Sequence, residues 1–429
     1  MIHPKWSYSA VLYEMNVRQL TCQGTLSEAT KRLPFLRSLG IDIVWLMPIY
    51  PIGEVERKGS MGSYYSIRDY CAVSEEMGTI DDFDNFLKEA HSLGMHVILD
   101  WVANHTARDA KWVTERNADW YERDAQGEPL VPWDWSDTAK LNYANHDVWQ
   151  GQIDAMKFWL ERGVDGFRCD MAMLVPIEFW REVSSELHAV NPDIFMLAEA
   201  EQENLFERAF DCCYGWELHH LMVDVARSHQ RADAIKRHLY NDSSRYAQWA
   251  MRMLFTSNHD ENSWQGTEQA IFAEALDVMR VFSFVAPSTM PLIYTGQEVG
   301  YDHQFEFFER DAMVDYAENQ TTAFYRKLIE LKHNCTSLMA GERGGSWTTI
   351  NNNAEDCLLI LVRESDEDRV VALLNLSPYT IDAEYNTGIY ADRYIDAFTG
   401  ESYILHTSMS EQMTPWSYKL LYKQTVARQ

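Results

Sequence analysis

Short apolar runs recur along the chain, and most follow a stretch whose apolar residues repeat at helical spacing. Val11-Leu12-Tyr13-Glu14 is the first run. Residues 41–46 (Ile-Asp-Ile-Val-Trp-Leu) follow a helix-like segment over 26–39. Residues 96–100 follow Phe83, Phe86, Leu87 and Ala90, and residues 163–168 follow Ile153, Met156, Phe158, Trp159 and Leu160. Residues 194–198 follow Phe179, Trp180, Val183 and Leu187. Runs at 209–211, 251–255 and 290–294 complete the set. Short apolar strands alternating with amphipathic helices predict a parallel sheet covered by helices. Eight such units over roughly 300 residues predict an α/β fold of the (β/α)8 TIM-barrel type.

Two departures from the alternation set the domain plan. The stretch between Asn104 and Gly163 is rich in Trp and Asp (Trp112, Trp120, Trp133, Trp135) and predicts a short excursion after strand 3, about 106–145. After Leu338 the helical pattern stops. Residues 357–362, 369–375 and 418–422 then alternate with turn residues, which predicts a C-terminal all-β sandwich domain over 339–429, after a catalytic barrel over 1–338.

Composition narrows the partners. Hydrophobic residues make up 46% of the chain and charged residues 24%, values of an ordered globular protein. A formal charge of −28 argues against nucleic acid or an anionic membrane as partner. No uncharged apolar run reaches the roughly 18 residues of a membrane span. The N-terminal segment lacks the basic-then-apolar pattern of a signal peptide, so the cytoplasm is the expected compartment. None of the seven cysteines forms a C-x-x-C pair, and Cys212-Cys213 are adjacent, so the cysteines are expected to be reduced and structural. No Gly-x-Gly-x-x-Gly or phosphate loop supports a nucleotide cofactor.

The ends of the predicted strands carry an unusual load of ionisable groups. Asp100 and His105 follow strand 3, Arg168 and Asp170 end strand 4, Glu199 ends strand 5, and His259 and Asp260 follow strand 7. A charge buried there costs several kcal/mol, of the order of the burial penalty, unless it is paired or used. A nucleophile, a proton donor and polar groups around a ring are the needs of glycosidic bond cleavage. Arg168 and Asp170 are two apart on a strand and share a face, so the guanidinium is expected to favour an ionised Asp170. Glu199 follows Phe-Met-Leu-Ala and is expected to have a raised pKa; Glu201 and Glu203 are expected to be solvated loop charges.

These segments resemble the α-amylase family of glycoside hydrolases. The resemblance rests on Asp100-Trp-Val-Ala-Asn-His105, Gly166-Phe-Arg-Cys-Asp170, Glu199, Asn258-His-Asp260, Gly62-Ser-Tyr-Tyr65 and Leu292-Ile-Tyr-Thr-Gly-Gln-Glu298, in that family's order around the barrel. It implies Asp170 as nucleophile, Glu199 as general acid/base and Asp260 as the third carboxylate. It implies Tyr65, His105, Arg168 and His259 as sugar contacts, with Asp100 and Asn104 in support. A retaining mechanism would place the two catalytic carboxyls about 5–5.5 Å apart. Trp101, Trp133, Trp135 and Trp264 are either core or an extension of the sugar surface.

The chain also leaves the family pattern. Met173 and Leu174 stand where many members have Lys-His, and Asn142 stands where many have an aspartate ligand to calcium. The expectation is therefore no cofactor and no calcium at the usual site, with Asn104 the remaining candidate ligand. The expected partner is an α-glucan or maltooligosaccharide. The expected activity is retaining hydrolysis of α-1,4 bonds. The alternatives are transglycosylation or a sucrose- or trehalose-type reaction, and more remotely a non-catalytic accessory relative, which the intact Asp170, Glu199 and Asp260 argue against.

Overall fold

Eight parallel strands close into a barrel in sequence order: β1 (Leu12–Met15), β2 (Ile43–Leu46), β3 (His96–Val102), β4 (Gly166–Asp170), β5 (Phe195–Ala198), β6 (Cys212–Tyr214), β7 (Met251–Leu254) and β8 (Thr289–Tyr294), with β8 paired back onto β1. The structure is a computed structural model that describes residues 3–314 and 316–424. Side chains alternate across each strand. Leu12, Ile43, Trp45, Ile98, Leu197 and Met253 fill the lumen, while Tyr13, Val44, Leu99, Phe167 and Met196 face the surrounding helices. The same parity turns Glu14, Asp100, Arg168, Asp170 and Glu199 inward at the C-terminal strand ends. Packing between β4 and β5 is tight: a Cβ on Gly166 would lie 2.0 Å from the Phe195 carbonyl oxygen.

The covering helices form where caps and apolar spacing agree. Ile80–Ser92 opens with a capping box between Thr79 and Asp82 and buries Phe83, Phe86, Leu87 and Ala90. The helix expected over 26–39 is two, Leu26–Thr30 and Leu33–Leu39. Pro34 falls in the first turn of the second, where its missing N–H does no harm.

The sixth strand corrects the sequence reading. It lies at Cys212–Tyr214, not at 209–211. Ala209 and Phe210 are apolar because they pack into the core ahead of it. The Asp211 carboxylate accepts from the Met196 N–H at 2.8 Å and meets His3 Nδ1 at 2.7 Å, fixing the turn before pairing starts. Between β5 and β6 the chain makes only the one-turn 3-10 helix Glu203–Phe206, so the strand–helix alternation lapses once.

After β3 the chain leaves the barrel through an antiparallel hairpin, His105–Ala107 against Thr138–Lys140, and returns at the helix His146–Glu161. The C-terminal domain has strands β9 (Ser346–Thr349), β10 (Leu358–Glu364), β11 (Asp368–Asn375), β12 (Ile381–Asn386), β13 (Asp392–Asp396), β14 (Ser402–Leu405), β15 (Ser408–Met413) and β16 (Tyr418–Gln424). Six form one antiparallel sheet in the order β9-β10-β11-β16-β13-β14, and β12 pairs with β15. One face of the large sheet packs on that ribbon through Ile360, Val362, Leu373, Ala383 and Tyr385. Its other face, with Leu359, Leu361, Ala372 and Leu420, joins the barrel's outer core.

Candidate active site

Arg168 is the hub of the site and is fully buried. Its Nη1 donates to Asp100 Oδ1 at 2.9 Å and to Asp170 Oδ1 at 3.2 Å, and its Nε donates to the Tyr214 hydroxyl at 3.1 Å. Its Nη2 lies 3.0 Å from Glu199 Oε2, within ion-pair range but without hydrogen-bond alignment. Four surrounding oxygens therefore fix the one guanidinium in place. Asp100 also accepts from Trp45 Nε1 and from the Tyr65 hydroxyl, so it orients Arg168 and Tyr65 from beneath.

Asp170 and Glu199 are almost wholly buried, at 7% and 6% exposure. Burial is the largest effect on both and raises both pKa values. For Asp170 the neighbouring Glu199 charge adds to this, and Arg168 opposes it without cancelling it. Arg168 acts in the expected direction, favouring an ionised Asp170, but burial and the Glu199 charge act against it. Neighbouring buried carboxylates of this kind titrate as a coupled pair. Glu199 Oε2 accepts the Met171 N–H at 2.8 Å. That bond depends on a left-handed turn directly after β4, with Met171 at φ 43°.

His259 sits between Glu14, Tyr65 and Asp260. Its Nδ1 is 2.5 Å from Glu14 Oε1, and its Nε2 is 2.7 Å from the Tyr65 hydroxyl and 3.4 Å from Asp260 Oδ2. The Tyr65 ring stacks on the His259 ring at 5.4 Å and on Phe307 at 6.3 Å. His105 is buried and takes the Asn104 amide on Nδ1 at 3.2 Å. Burial lowers its pKa to about 4, so it stays neutral.

A cavity of about 430 Å³ opens over these groups, with Tyr65, Asp170, Glu199 and Asp260 at its floor and Trp135 and Phe307 on its walls. The structure thus brings Asp170, Glu199, Asp260, Tyr65, His105 and His259 to one cavity, with Arg168, Asp100 and Asn104 behind it. Trp135 and Trp264 line the cavity, whereas Trp101 is core and bonds Gln152. Trp133 is 64% exposed and packs against Trp135. Glu201 is not a solvated charge. Burial raises its pKa to about 7, and it accepts the Glu217 N–H at 2.7 Å.

Glu14, Tyr214 and Phe307 belong to the site and were not singled out from sequence. Strand parity places Glu14 on the inner face, two residues after Leu12, but does not bring it beside His259. Tyr214 was hidden by the misplaced sixth strand. Phe307 lies in a loop with no periodic signal.

The place of the family's calcium has a different chemistry here. Asn104, Glu122, Lys140 and Asn142 line one cleft. Lys140 Nζ pairs with Glu122 at 2.8 Å, the Asn142 amide donates to the Asp119 carbonyl, and the Asn104 amide points to His105. Among the described residues no three His, Cys, Asp or Glu side chains converge as a metal cluster. Glu122 is the one carboxylate among these four side chains and is paired with the Lys140 ammonium, whereas a hard cation favours several oxygen ligands with carboxylates among them.

A family model described as alpha amylase, catalytic domain, matches residues 13–337. The chain is 29% identical over 395 residues to an alpha-amylase of Haloarcula japonica, a match that covers 87% of this chain and 56% of that protein. The chain thus spans little more than half the length of that relative. Among solved structures it is similar to an alpha-amylase from Lactobacillus plantarum, with TM-score 0.87, 28% identity and coverage of 97% of this chain and 99% of the other. A maltogenic alpha-amylase from Thermotoga neapolitana gives TM-score 0.86 at 26% identity, with coverage of 97% and 99%.

Proposed function

The chain belongs to the alpha-amylase family, and on that premise we propose that it is a retaining glycoside hydrolase. Its substrates are α-1,4-linked glucose chains, either starch-derived glucans or maltooligosaccharides. The observation that carries this reading is the pairing of Asp170 and Glu199 across one guanidinium at the floor of a single cavity. Retention requires the two carboxyls to lie about 5–5.5 Å apart, because inversion needs room for a water between them.

The chemistry follows from the two environments. An Asp170 oxygen attacks the anomeric carbon as Glu199 gives its proton to the departing glycosidic oxygen. The covalent glycosyl-enzyme then yields to a water whose proton passes to Glu199. The exchange needs the two carboxyls in opposite protonation states, which coupled titration of the pair favours. Asp260 and His259 stand beside the ring hydroxyls, and Tyr65 offers the ring face that packs under the sugar. No step is assigned to a metal.

Transfer to a sugar acceptor instead of water uses the same glycosyl-enzyme, and sucrose or trehalose would enter the same cavity. One experiment separates these outcomes. The protein is incubated with maltoheptaose, pullulan, sucrose and trehalose, and products and their anomers are followed by proton NMR, with Asp170→Asn as control. The expected result is cleavage of maltoheptaose with an α-anomeric product, absent in the variant. A β-anomeric product overturns retention. Equal behaviour of the variant and the parent overturns the enzyme reading.

A further inference from the structure

The mechanism leaves Glu14, a fully buried acid in the same lumen, unused. Glu14 is 0% exposed and points inward from β1. Its Oε1 meets His259 Nδ1 at 2.5 Å, and its Oε2 accepts the His259 main-chain N–H at 3.3 Å. The carboxylate therefore grips both the ring and the backbone of one residue. On the other side of the ring, the Tyr65 hydroxyl gives its hydrogen to Asp100 Oδ2 at 3.1 Å. In that arrangement its oxygen accepts from His259 Nε2, 2.7 Å away, when that nitrogen carries a proton. Asp260 Oδ2, 3.4 Å from the same nitrogen, is an acceptor too. Both ring nitrogens thus face acceptors, the arrangement of an imidazolium with two N–H donors.

We propose that Glu14 is a positioning residue that holds His259 as an imidazolium, which in turn fixes the Tyr65 hydroxyl and gives Asp260 a permanent cation at its side. This rests on the reading of Asp260 and Tyr65 as sugar contacts. Every element packed around the ring bears on its charge. Glu14 from β1, Asp260 after β7 and Asp100 from β3 favour the cation, Glu199 after β5 adds a further carboxylate nearby, and Arg168 from β4 opposes it. Trp45 meets the ring edge-on and Phe307 lies beside it, so water does not screen the pair. Burial alone would lower the pKa of His259, yet Asp260 and Glu14 raise it to about 9. Glu14 does not itself line the cavity and reaches it through its contact with His259.

Two measurements test this. The first uses the native chain labelled with nitrogen-15 histidine, with His259→Asn identifying the signal. Both His259 nitrogens should be protonated at about pH 7.5. A neutral ring overturns the proposal, whether or not any glucoside is cleaved, and this keeps it separate from the hydrolase reading. The second compares kcat/KM on a maltooligosaccharide. Glu14→Gln should lose at least about tenfold at neutral pH, with the alkaline limb of the profile moved to lower pH. In a His259→Asn background the same change should cost less than about twofold, because its route of action is gone. Equal losses in the two backgrounds, or an unmoved alkaline limb, overturn the proposal. Should Glu14→Gln fail to fold, the nitrogen-15 measurement decides alone.

Discussion

At the C-terminal ends of the barrel strands, the buried cation Arg168 is ringed by Asp100, Asp170 and Glu199. At the opposite end, where the C-terminal domain docks, Arg363 and Lys332 are equally buried and are met by main-chain carbonyls. Arg363 Nη1 donates to the Val285 and Ala286 carbonyls at 3.0 and 2.9 Å, and Nη2 to Met339. Lys332 Nζ donates to the Thr289 carbonyl at 2.9 Å and to that of Leu338. Carboxylates titrate and repel one another, so the upper cluster couples protonation to geometry, as acid–base chemistry demands. Carbonyls do neither, so the lower cations join segments. Arg363 ties β10 to the turn before β8, and Lys332 ties the helix Gln320–Asn334 to β8 itself. On the proposed function, buried charge serves reactivity at one end and joins segments at the other.

Substitution at each end should reveal that division. Glu199→Gln keeps the shape and the Met171 contact but removes the proton donor. Its expected effect is a loss of roughly 10²–10⁴ in kcat on a glucan with an unactivated leaving group. Thermal stability should hold or rise, because one member of a repelling pair becomes neutral. A fall in melting temperature comparable to that of a core mutant would show that the upper cluster is structural after all. Arg363→Met at the lower end should do the reverse. It removes the Arg363 donor from the Val285 and Met339 carbonyls, while Ala286 keeps the Thr289 hydroxyl, at a cost of about 2 kcal/mol of unfolding free energy by urea titration. The kcat of the folded fraction should stay at the parent value. A selective loss of kcat without loss of stability would tie the docking seam to the chemistry.

The two ends also differ in how legible they are in the sequence. The strands that carry Asp100, Arg168, Asp170 and Glu199 are apolar runs at helix-separated intervals, and period-two parity places their charges on one inner face. The segment Asn258-His259-Asp260 adds the rest through its resemblance to known motifs. What the sequence hid is relational. Glu14 looks like an ordinary polar residue at a strand end until β1 is closed onto β8 and brought beside His259. Ala209 and Phe210 are as apolar as a strand, yet the sixth strand starts three residues later at Cys212 and they pack into the core ahead of it. At the lower end nothing marks Lys332 or Arg363, since the partners are carbonyls, which every residue has. Their role becomes visible only once the sheet and the barrel are in contact.

The smallest expected effect separates the two ends most directly, because it depends on charge alone. Lys332 has its pKa lowered to about 7 by burial, with Arg363 adding to the effect, whereas the surrounding carboxylates keep Arg168 firmly protonated. In the unfolded chain the lysine holds its proton up to about pH 10.4. In the folded chain it releases it above about 7, and the neutral amine still has two hydrogens for the two carbonyls it meets. Across that window the unfolded state binds more protons, so this group makes stability rise with pH; below about 7 the slope from this group vanishes and the full penalty of burying the ammonium remains. Lys332→Met removes the contribution. Urea unfolding between about pH 7 and 9 should then show a slope against pH shallower than the parent's by up to about 1.4 kcal/mol per pH unit, one proton's worth. Parallel slopes would mean that Lys332 stays charged when folded. The lower end would then hold a permanent cation on neutral carbonyls alone, and the contrast with Arg168 would reduce to the choice of acceptor.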